Sequence, residues 1–389
     1  MRSGVENPLR IAIVTNIQTP YRQKQWECYS KIDGLNITVY YCSKSERNRY
    51  WSVLPAGGVR EVFLKGVNYR GWHFNPGVFL IPFQKFDLFL VTGYGFPTAA
   101  IAIVLLKIFK RNWAMISDGV APQKLKAEAW YTRAVKRFFT EGATAYFANG
   151  TAAKNLLMQF DIAEEKIFNQ YLTVDVKYFL ENEKASKEKR IRTRHKYGIR
   201  EDTIVVIYVG RLIPHKGIQD LIQAIEGLVK RKKNNVIALI VGGGEEKERL
   251  QSNTKNLQQN VIFTGFVEPY ELCLCYYASD IFCLPTHHDP WGLVVNEAMA
   301  CALPIITTNA AGASVDLVKN NGYVVSAGDV SGLSSAIEAL IDADVREAFG
   351  TESRRMILNW TYIESSQSFK NMLNYMKMMR HDESDTDFD

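Results

Sequence analysis

Two short runs of this 389-residue chain combine residue types that could hold and cleave a charged, hydroxyl-rich ligand. The first is Val209-Gly210-Arg211-Leu212-Ile213-Pro214-His215-Lys216-Gly217. A glycine at the end of an apolar run lets the backbone turn and lets a ligand approach closely. Arg211 offers a planar fork for phosphate oxygens and Lys216 a point charge, which suits a diphosphate whose negative charge grows as it departs. Taken alone, a surface turn with two solvated cations explains this run equally well. The second run, Pro285 to Ala300, carries Asp289, Trp291, Gly292, Leu293 and Glu297. A helix beginning near Gly292 would present free backbone N–H groups to phosphate or sugar oxygens. Glu297 lies about one turn further on, among Leu293, Val294, Ala298 and Met299, where a carboxylate needs hydroxyl partners such as a ribose diol. A favourable interaction with its own helix dipole is the plainer reading of Glu297, weakened because Asp289 frames the same helix start.

Alternating elements must position these runs. Strand patterns fall at 11–14, 37–41, 88–92, 114–117 and 145–148, with helices at 97–110, 126–139 and 151–160. The pattern restarts with strands at 204–209, 236–241, 261–263, 281–284, 305–307 and 323–325 and helices at 217–231, 246–258, 271–278, 294–302 and 333–342. Such alternation predicts an α/β protein with two doubly wound, Rossmann-like parallel sheets. The strand C-terminal edges are where the loops should carry chemistry. The expected division is an acceptor-side domain over 1–180 and a donor domain over 181–355. A helix over 356–379 would pack back on the first domain, and an acidic, disordered tail would occupy 380–389. The charge run from Glu181 to Arg200 reads as a solvated helix or linker.

Composition narrows the class. The net charge of +6 is modest, compatible with an anionic ligand or an acidic membrane surface but demanding neither, and no nucleic-acid partner is expected. The six cysteines form no Cys-x-x-Cys pair and read as reduced, buried small hydrophobes of a cytosolic protein. The apolar run Leu9 to Val14 is too short for a secretory signal, and Phe96 to Leu106 falls well short of the roughly 20 residues of a spanning helix. His287 and His288 beside Asp289 lack a third ligand at suitable spacing, so no metal site is expected. Gly242-Gly243-Gly244 is not a dinucleotide fingerprint. Tyr131, Arg133, Lys136, Arg137, Phe138 and Phe139 make either an ordinary amphipathic helix or a patch for anionic lipid headgroups.

Four ordered elements resemble the donor-binding half of glycosyltransferase family 4, whose members have the GT-B fold. They are Gly-Arg-Leu-x-x-x-Lys-Gly at Gly210 to Gly217, Val241-Gly242-Gly243-Gly244, Phe263-Thr264-Gly265-Phe266-Val267, and Asp289-x7-Glu297 followed by Ala298-Met299-Ala300 and Leu303-Pro304. A weaker likeness lies at Gly150-Thr151-Ala152-Ala153. The resemblance implies two Rossmann-like domains facing across a cleft. It implies that Arg211 and Lys216 grip the donor diphosphate with Gly210 beneath them, and that Glu297 takes the ribose hydroxyls. Asp289 and the backbone of Trp291, Gly292 and Leu293 would contact the transferred sugar and its phosphate, with Gly265, Phe266 and Val267 near the base. Two departures stand out. Asp289 replaces the usual Glu and is one methylene shorter. In the first half, Asp118-Gly119 stands where many relatives place a His, so Asp118 could bind a sugar hydroxyl, activate the acceptor, or cap a turn. The loop Thr15 to Arg22 lacks the paired glycines common there.

The resemblance thus implies a retaining glycosyltransferase without cofactor or divalent metal. It would take a UDP- or GDP-linked sugar and add it to a glycan or lipid-linked acceptor of a bacterial capsule, exopolysaccharide or lipopolysaccharide. The site would be cytoplasmic, with a possible peripheral contact to anionic membrane. The rivals are a nucleotide-sugar epimerase of the same architecture and a non-catalytic donor-binding subunit.

Overall fold

A computed structural model describes residues 8–44, 53–69, 72–125, 129–183, 186–232 and 235–386. Lys126 and Lys184, counted above in a helix and in the charge run, lie outside them. The chain forms two compact units. Unit 1 comprises residues 1–119, 125–172 and 362–389, and unit 2 comprises 120–124 and 173–361.

Unit 1 is built on strands β1 (Leu9–Ile17), β2 (Leu35–Ser43), β3 (Arg60–Phe63), a separate antiparallel hairpin β4 (Val67–Tyr69) and β5 (Trp72–Phe74), then β6 (Leu88–Thr92), β7 (Trp113–Ser117), β8 (Ala145–Ala148) and β9 (Ile167–Asn169). Seven of them form one parallel sheet in the order β3-β2-β1-β6-β7-β8-β9. Its inner strands are apolar and buried on both faces, as a sheet covered by helices requires. Helices α1 (Pro20–Ser30), α2 (Pro97–Ile108), α3 (Trp130–Thr140) and α4 (Gly150–Met158) follow strands. Pro20 and Pro97 open α1 and α2 at the position where a missing N–H costs nothing.

Unit 2 contains α5 (Val176–Glu183), α6 (Ser186–Lys196), β10 (Ile204–Val209), α7 (Ile218–Lys230), β11 (Val236–Val241), α8 (Lys247–Asn253), β12 (Val261–Gly265), α9 (Pro269–Ala278), β13 (Ile281–Leu284), α10 (Leu293–Ala300), β14 (Ile305–Thr308), α11 (Ala313–Leu317), β15 (Gly322–Val325), α12 (Val330–Ala339) and α13 (Ala343–Ile357). Its parallel sheet runs β12-β11-β10-β13-β14-β15, the doubly wound order in which the winding reverses between the first and fourth strands. That switch point lies between β10 and β13, which pair at Val206 with Ile281 and Ile207 with Phe282.

Three expectations need correction. The chain divides at 172/173 rather than near 180, because Val174, Val176 and Phe179 are buried and the Tyr277 hydroxyl donates to the Phe179 carbonyl at 2.6 Å. Residues 380–386 of the tail expected to be disordered instead continue the last helix, α14 (Tyr362–Thr386), since extending an anchored helix adds a hydrogen bond per residue without a new nucleation cost. The anchor is Phe369, Met372, Leu373 and Met376, which pack in the unit 1 core with Trp26, Tyr29 and Phe147. Tyr29 stacks on Phe369 with ring centroids 4.2 Å apart.

The third correction concerns the charge run. It forms α6, but α6 is not merely solvated, because Arg194 is only 2% exposed. Its guanidinium donates to Asp280 at 2.7 Å and to the carbonyls of Ala278, Glu201 and Thr203 at 2.8–2.9 Å. Arg190 holds the other Asp280 oxygen at 2.6 Å, and the Val205 amide donates to Asp280 at 2.8 Å. Burial lowers the Arg194 pKa and the Asp280 carboxylate opposes that, so the charge is tolerated only while paired. Asp280→Ala should therefore cost about 3–5 kcal/mol, the usual penalty for stranding one member of a buried pair. Chemical denaturation measures it, and a loss below about 1 kcal/mol would remove Asp280 as the anchor of α6.

Candidate donor site at the switch point of unit 2

The loops after β10 and β13 flank the switch point, where open α/β sheets take ligands. Their approach is set by backbone contact. At Gly217, φ is +66° and an added Cβ would sit 1.9 Å from the Pro285 carbonyl oxygen. No side chain fits there, so only glycine lets the two loops meet. The His287 amide donates to the His215 carbonyl at 2.8 Å and the Thr286 hydroxyl to the same oxygen at 3.0 Å, sealing the pair. On the other flank a Cβ on Gly242 would lie 1.9 Å from the Gly210 carbonyl oxygen, with φ +136°. The Gly242 amide donates to the Gly265 carbonyl at 2.9 Å, which brings the end of β12 alongside. Gly210, Gly217, Gly242 and Gly265 thus belong to one rim.

On that rim Lys216 Nζ lies 2.5 Å from Asp289 Oδ2, both side chains being largely buried. The other Asp289 oxygen accepts the Trp291 amide at 3.2 Å, just before Gly292 and the first turn of α10. Arg211 is exposed and has no ion-pair partner among the described residues. Its carbonyl is held by the Tyr208 hydroxyl at 2.9 Å. Between the loops after β10 and β13, one cation thus stands without an ion-pair partner among the described residues and one is stored on a carboxylate. His215 is kept neutral by partial burial and by the Lys216 and Arg211 charges, which lower its pKa.

Glu297 sits on α10 and accepts a hydrogen bond from the Tyr276 hydroxyl at 2.7 Å. Burial raises its pKa to about 7. A single neutral donor is a poor shell for a carboxylate, which suits a site that waits for further hydroxyl donors. The Trp291 indole faces inward rather than toward a ligand. It stacks on Trp360 with centroids 5.2 Å apart and donates to Asn296 at 3.0 Å, so only its backbone remains for the proposed contact. Gly292 and Leu293 open α10, Phe266 is exposed and Val267 partly so after β12. Asp118 lies in unit 1, at the end of β7.

Sequence reasoning missed Tyr276 and Tyr208, which lie inside apolar runs where nothing marks a hydroxyl for use. It also missed the partner of His287, whose Nε2 lies 2.5 Å from Asp220 on α7. Among the described residues no group of three His, Cys, Asp or Glu is placed to hold a metal ion. All six cysteines are free thiols, Cys28 partly exposed and the others buried.

Two doubly wound parallel-sheet units with a loop-built site at a switch point define the GT-B class of fold. Residues 189–356, all within unit 2, match the family described as glycosyl transferases group 1. The chain is 31% identical over 209 residues to a GDP-mannose-dependent monoacylated alpha-(1-6)-phosphatidylinositol monomannoside mannosyltransferase of Corynebacterium glutamicum, covering 51% of this chain and 54% of that protein. It is 35% identical over 178 residues to the capsular polysaccharide biosynthesis glycosyltransferase CapM of Staphylococcus aureus, covering 42% and 46%. The matched regions thus span about half the length of these curated relatives. Among solved structures, Anabaena Alr3699/HepE in complex with UDP superposes with a TM-score of 0.74 at 16% identity, covering 94% of this chain and 99% of that one. That protein has also been solved in complex with UDP-glucose.

The raised Glu297 pKa makes a pH prediction independent of ligand. Between the ordinary carboxylate value and about 7, the folded state binds the proton that the unfolded chain has released, so stability falls as pH rises through that window. Glu297→Gln should flatten this slope and stabilise the protein at pH 8 by on the order of 1–2 kcal/mol, less than full burial would give because Glu297 is only partly buried. Parallel thermal melts of both proteins from pH 5 to 8 test it, and parallel curves would refute it.

Proposed function

We propose that the chain is a glycosyltransferase that moves a single sugar from a UDP- or GDP-linked donor to a glycan or lipid-linked acceptor in bacterial envelope polysaccharide synthesis. The observation that carries this reading is the Lys216–Asp289 pair beside the unpaired Arg211 at the switch point. Family-level support is the match of unit 2 to glycosyl transferases group 1 and the likeness to CapM. The epimerase and the non-catalytic subunit lack such support, and the full set Arg211, Lys216 and Glu297 argues against lost transfer.

In this reading the donor diphosphate draws Lys216 off Asp289 and meets Arg211 and the first amides of α10. Asp289, still held by the Trp291 amide, then turns its released oxygen to a sugar hydroxyl. Glu297 accepts from the ribose, Gly210 leaves room for the phosphates, and Gly265, Phe266 and Val267 border the base. As the bond from the anomeric carbon to the phosphate oxygen breaks, charge grows on the phosphate and the sugar becomes oxocarbenium-like. Two cations and a helix start offset that charge, so no divalent metal is needed. The acceptor hydroxyl attacks from the face the phosphate leaves and passes its proton to it, with retention. Asp118 assists by orienting the acceptor.

Transfer from UDP-glucose or GDP-mannose to added acceptors tests this. Arg211→Ala or Lys216→Ala should lower kcat by on the order of 100-fold or more. Wild-type activity should persist in excess EDTA, and NMR of the product should show the retained anomer. Near-normal kcat in both variants sinks the donor-site assignment, and an inverted product sinks the mechanism.

A peripheral membrane contact on the cytoplasmic side belongs to the same proposal, since no described helix is long and apolar enough to span a bilayer. Every α3 side chain except Thr140 is at least partly exposed, Trp130 at 81%. Tyr131, Val135 and Phe138 are exposed beside Arg133, Lys136 and Arg137. Arg137 also pairs with Glu141 and Asp161, which reduces its contribution. Reversing Arg133, Lys136 and Arg137 to Glu should abolish co-sedimentation with phosphatidylserine vesicles at low salt, at about 1 kcal/mol per cation near the surface. Unchanged sedimentation excludes this helix.

A further inference from the structure

Among the described residues Arg22 is the most enclosed cation of unit 1. It lies in the first turns of α1 and is 2% exposed. Its guanidinium contacts Asp118 and Gln25 and sits over the rings of Trp26 and Tyr21, 5.2 and 5.8 Å from their centroids. With the Gln170 amide turned so that its nitrogen donates to the Ser117 carbonyl at 3.0 Å, the Gln170 oxygen accepts from Arg22 at 2.9 Å. The same side chains close a ring. Gln25 donates to the Tyr29 hydroxyl at 2.7 Å and to Ser365 at 3.1 Å, Tyr29 and Ser365 bond at 2.7 Å, and Ser365 donates to the Gln170 carbonyl at 2.6 Å.

Arg22, Gln25, Tyr29, Gln170 and Ser365 are all buried, and Asp118 alone reaches solvent, its side chain 44% exposed. Burial lowers the pKa of Arg22, and the carboxylate it touches is Asp118. A buried charge with one negative partner is costly to strand, and a fork gripping one oxygen fixes that partner's orientation. If the ring served only to anchor α14, neutral partners would suffice. An arginine aimed at a half-exposed carboxylate at the C-terminal end of β7 does something further. It holds one Asp118 oxygen in the buried ring and leaves the second facing outward.

We propose that Arg22 is a positioning residue: through Asp118 it presents an oriented carboxylate that accepts a hydrogen bond from an acceptor hydroxyl. The ligand class is a polyhydroxylated glycan end. This rests on the reading of unit 1 as the acceptor half. Arg22 touches no reacting atom, so its loss should appear in acceptor recognition, and the conservative lysine should recover part of it.

The probes are UDP-glucose and GDP-mannose as donors and a panel of para-nitrophenyl glycosides as acceptors. Arg22→Gln should raise the KM for the glycoside at least ten-fold, while the Kd for UDP or GDP by calorimetry stays within two-fold. Arg22→Lys should lie between Arg22→Gln and wild type. Because Arg22 acts only through Asp118, Arg22→Gln combined with Asp118→Asn should be no worse than Asp118→Asn alone. An unchanged glycoside KM in Arg22→Gln, or additive losses in the double variant, overturns the role. If Arg22→Gln does not fold, Arg22→Lys decides alone: a wild-type KM refutes the need for the fork, and a raised KM with unchanged nucleotide Kd supports it. Should the wild type bind nucleotide but neither bind nor glycosylate any panel member, the acceptor reading of unit 1 fails and this role falls with it. Transfer by the wild type with an indifferent Arg22 variant defeats this role alone.

Discussion

The arrangement of unit 2 depends on loops that meet backbone to backbone. Between Gly217 and Pro285, and between Gly242 and Gly210, no Cβ can be accommodated, so each loop is braced by the carbonyls of its neighbour rather than by exchangeable side chains. Side chains hop among rotamers, but backbone in van der Waals contact has little freedom to move. The consequence is electrostatic. Lys216 precedes Gly217 and Asp289 follows Pro285 by four positions, so the loop contact itself sets the separation of cation and carboxylate. The loops that carry the two groups therefore need no rearrangement to bring them together.

The two ion-pair clusters of unit 2 show how geometry separates storage from structure. Asp280 is gripped by two arginines and a backbone amide, and Arg194 spends its remaining donors on carbonyls. Nothing there can be exchanged without stranding a buried charge. Among the described residues Lys216 pairs with Asp289 alone, through an ammonium of three donors on a flexible stem. In the proposed reading a phosphate replaces that carboxylate. Asp289 is held independently by the Trp291 amide through its other oxygen.

How much was legible follows from range. The β10 and β13 strands and their loops could be read because an apolar run, a glycine and a charged residue lie within a few positions of each other, and the parallel sheet then brings the two runs together. The edge strands β3 and β9 and the hairpin β4–β5 were not legible, since they are three or four residues long and mostly exposed, leaving no alternation to detect. Arg194 was read as solvated because Asp280 lies 86 positions away, and charge runs give no sign of a distant partner. Tyr276 was missed for the same reason. Its hydroxyl matters only because α9 packs so as to aim it at Glu297.

Asp118 shows the limit most sharply. Its neighbours in sequence, Ser117 and Gly119, allow a turn cap, a sugar contact or an acceptor role with equal ease. What distinguishes these is Arg22, 96 positions earlier, and Gln170 and Ser365, far later in the chain. A turn cap would spend the carboxylate on nearby backbone amides, and the bond found is instead to a buried guanidinium. Five buried polar side chains, each of which had to be desolvated, form one network that reaches a group in contact with water through Arg22 alone. Packing alone does not favour that expense, because apolar residues of similar volume would hold α14 against α1 at lower cost. The residual explanation is that the exposed oxygen of Asp118 is what the network exists to aim.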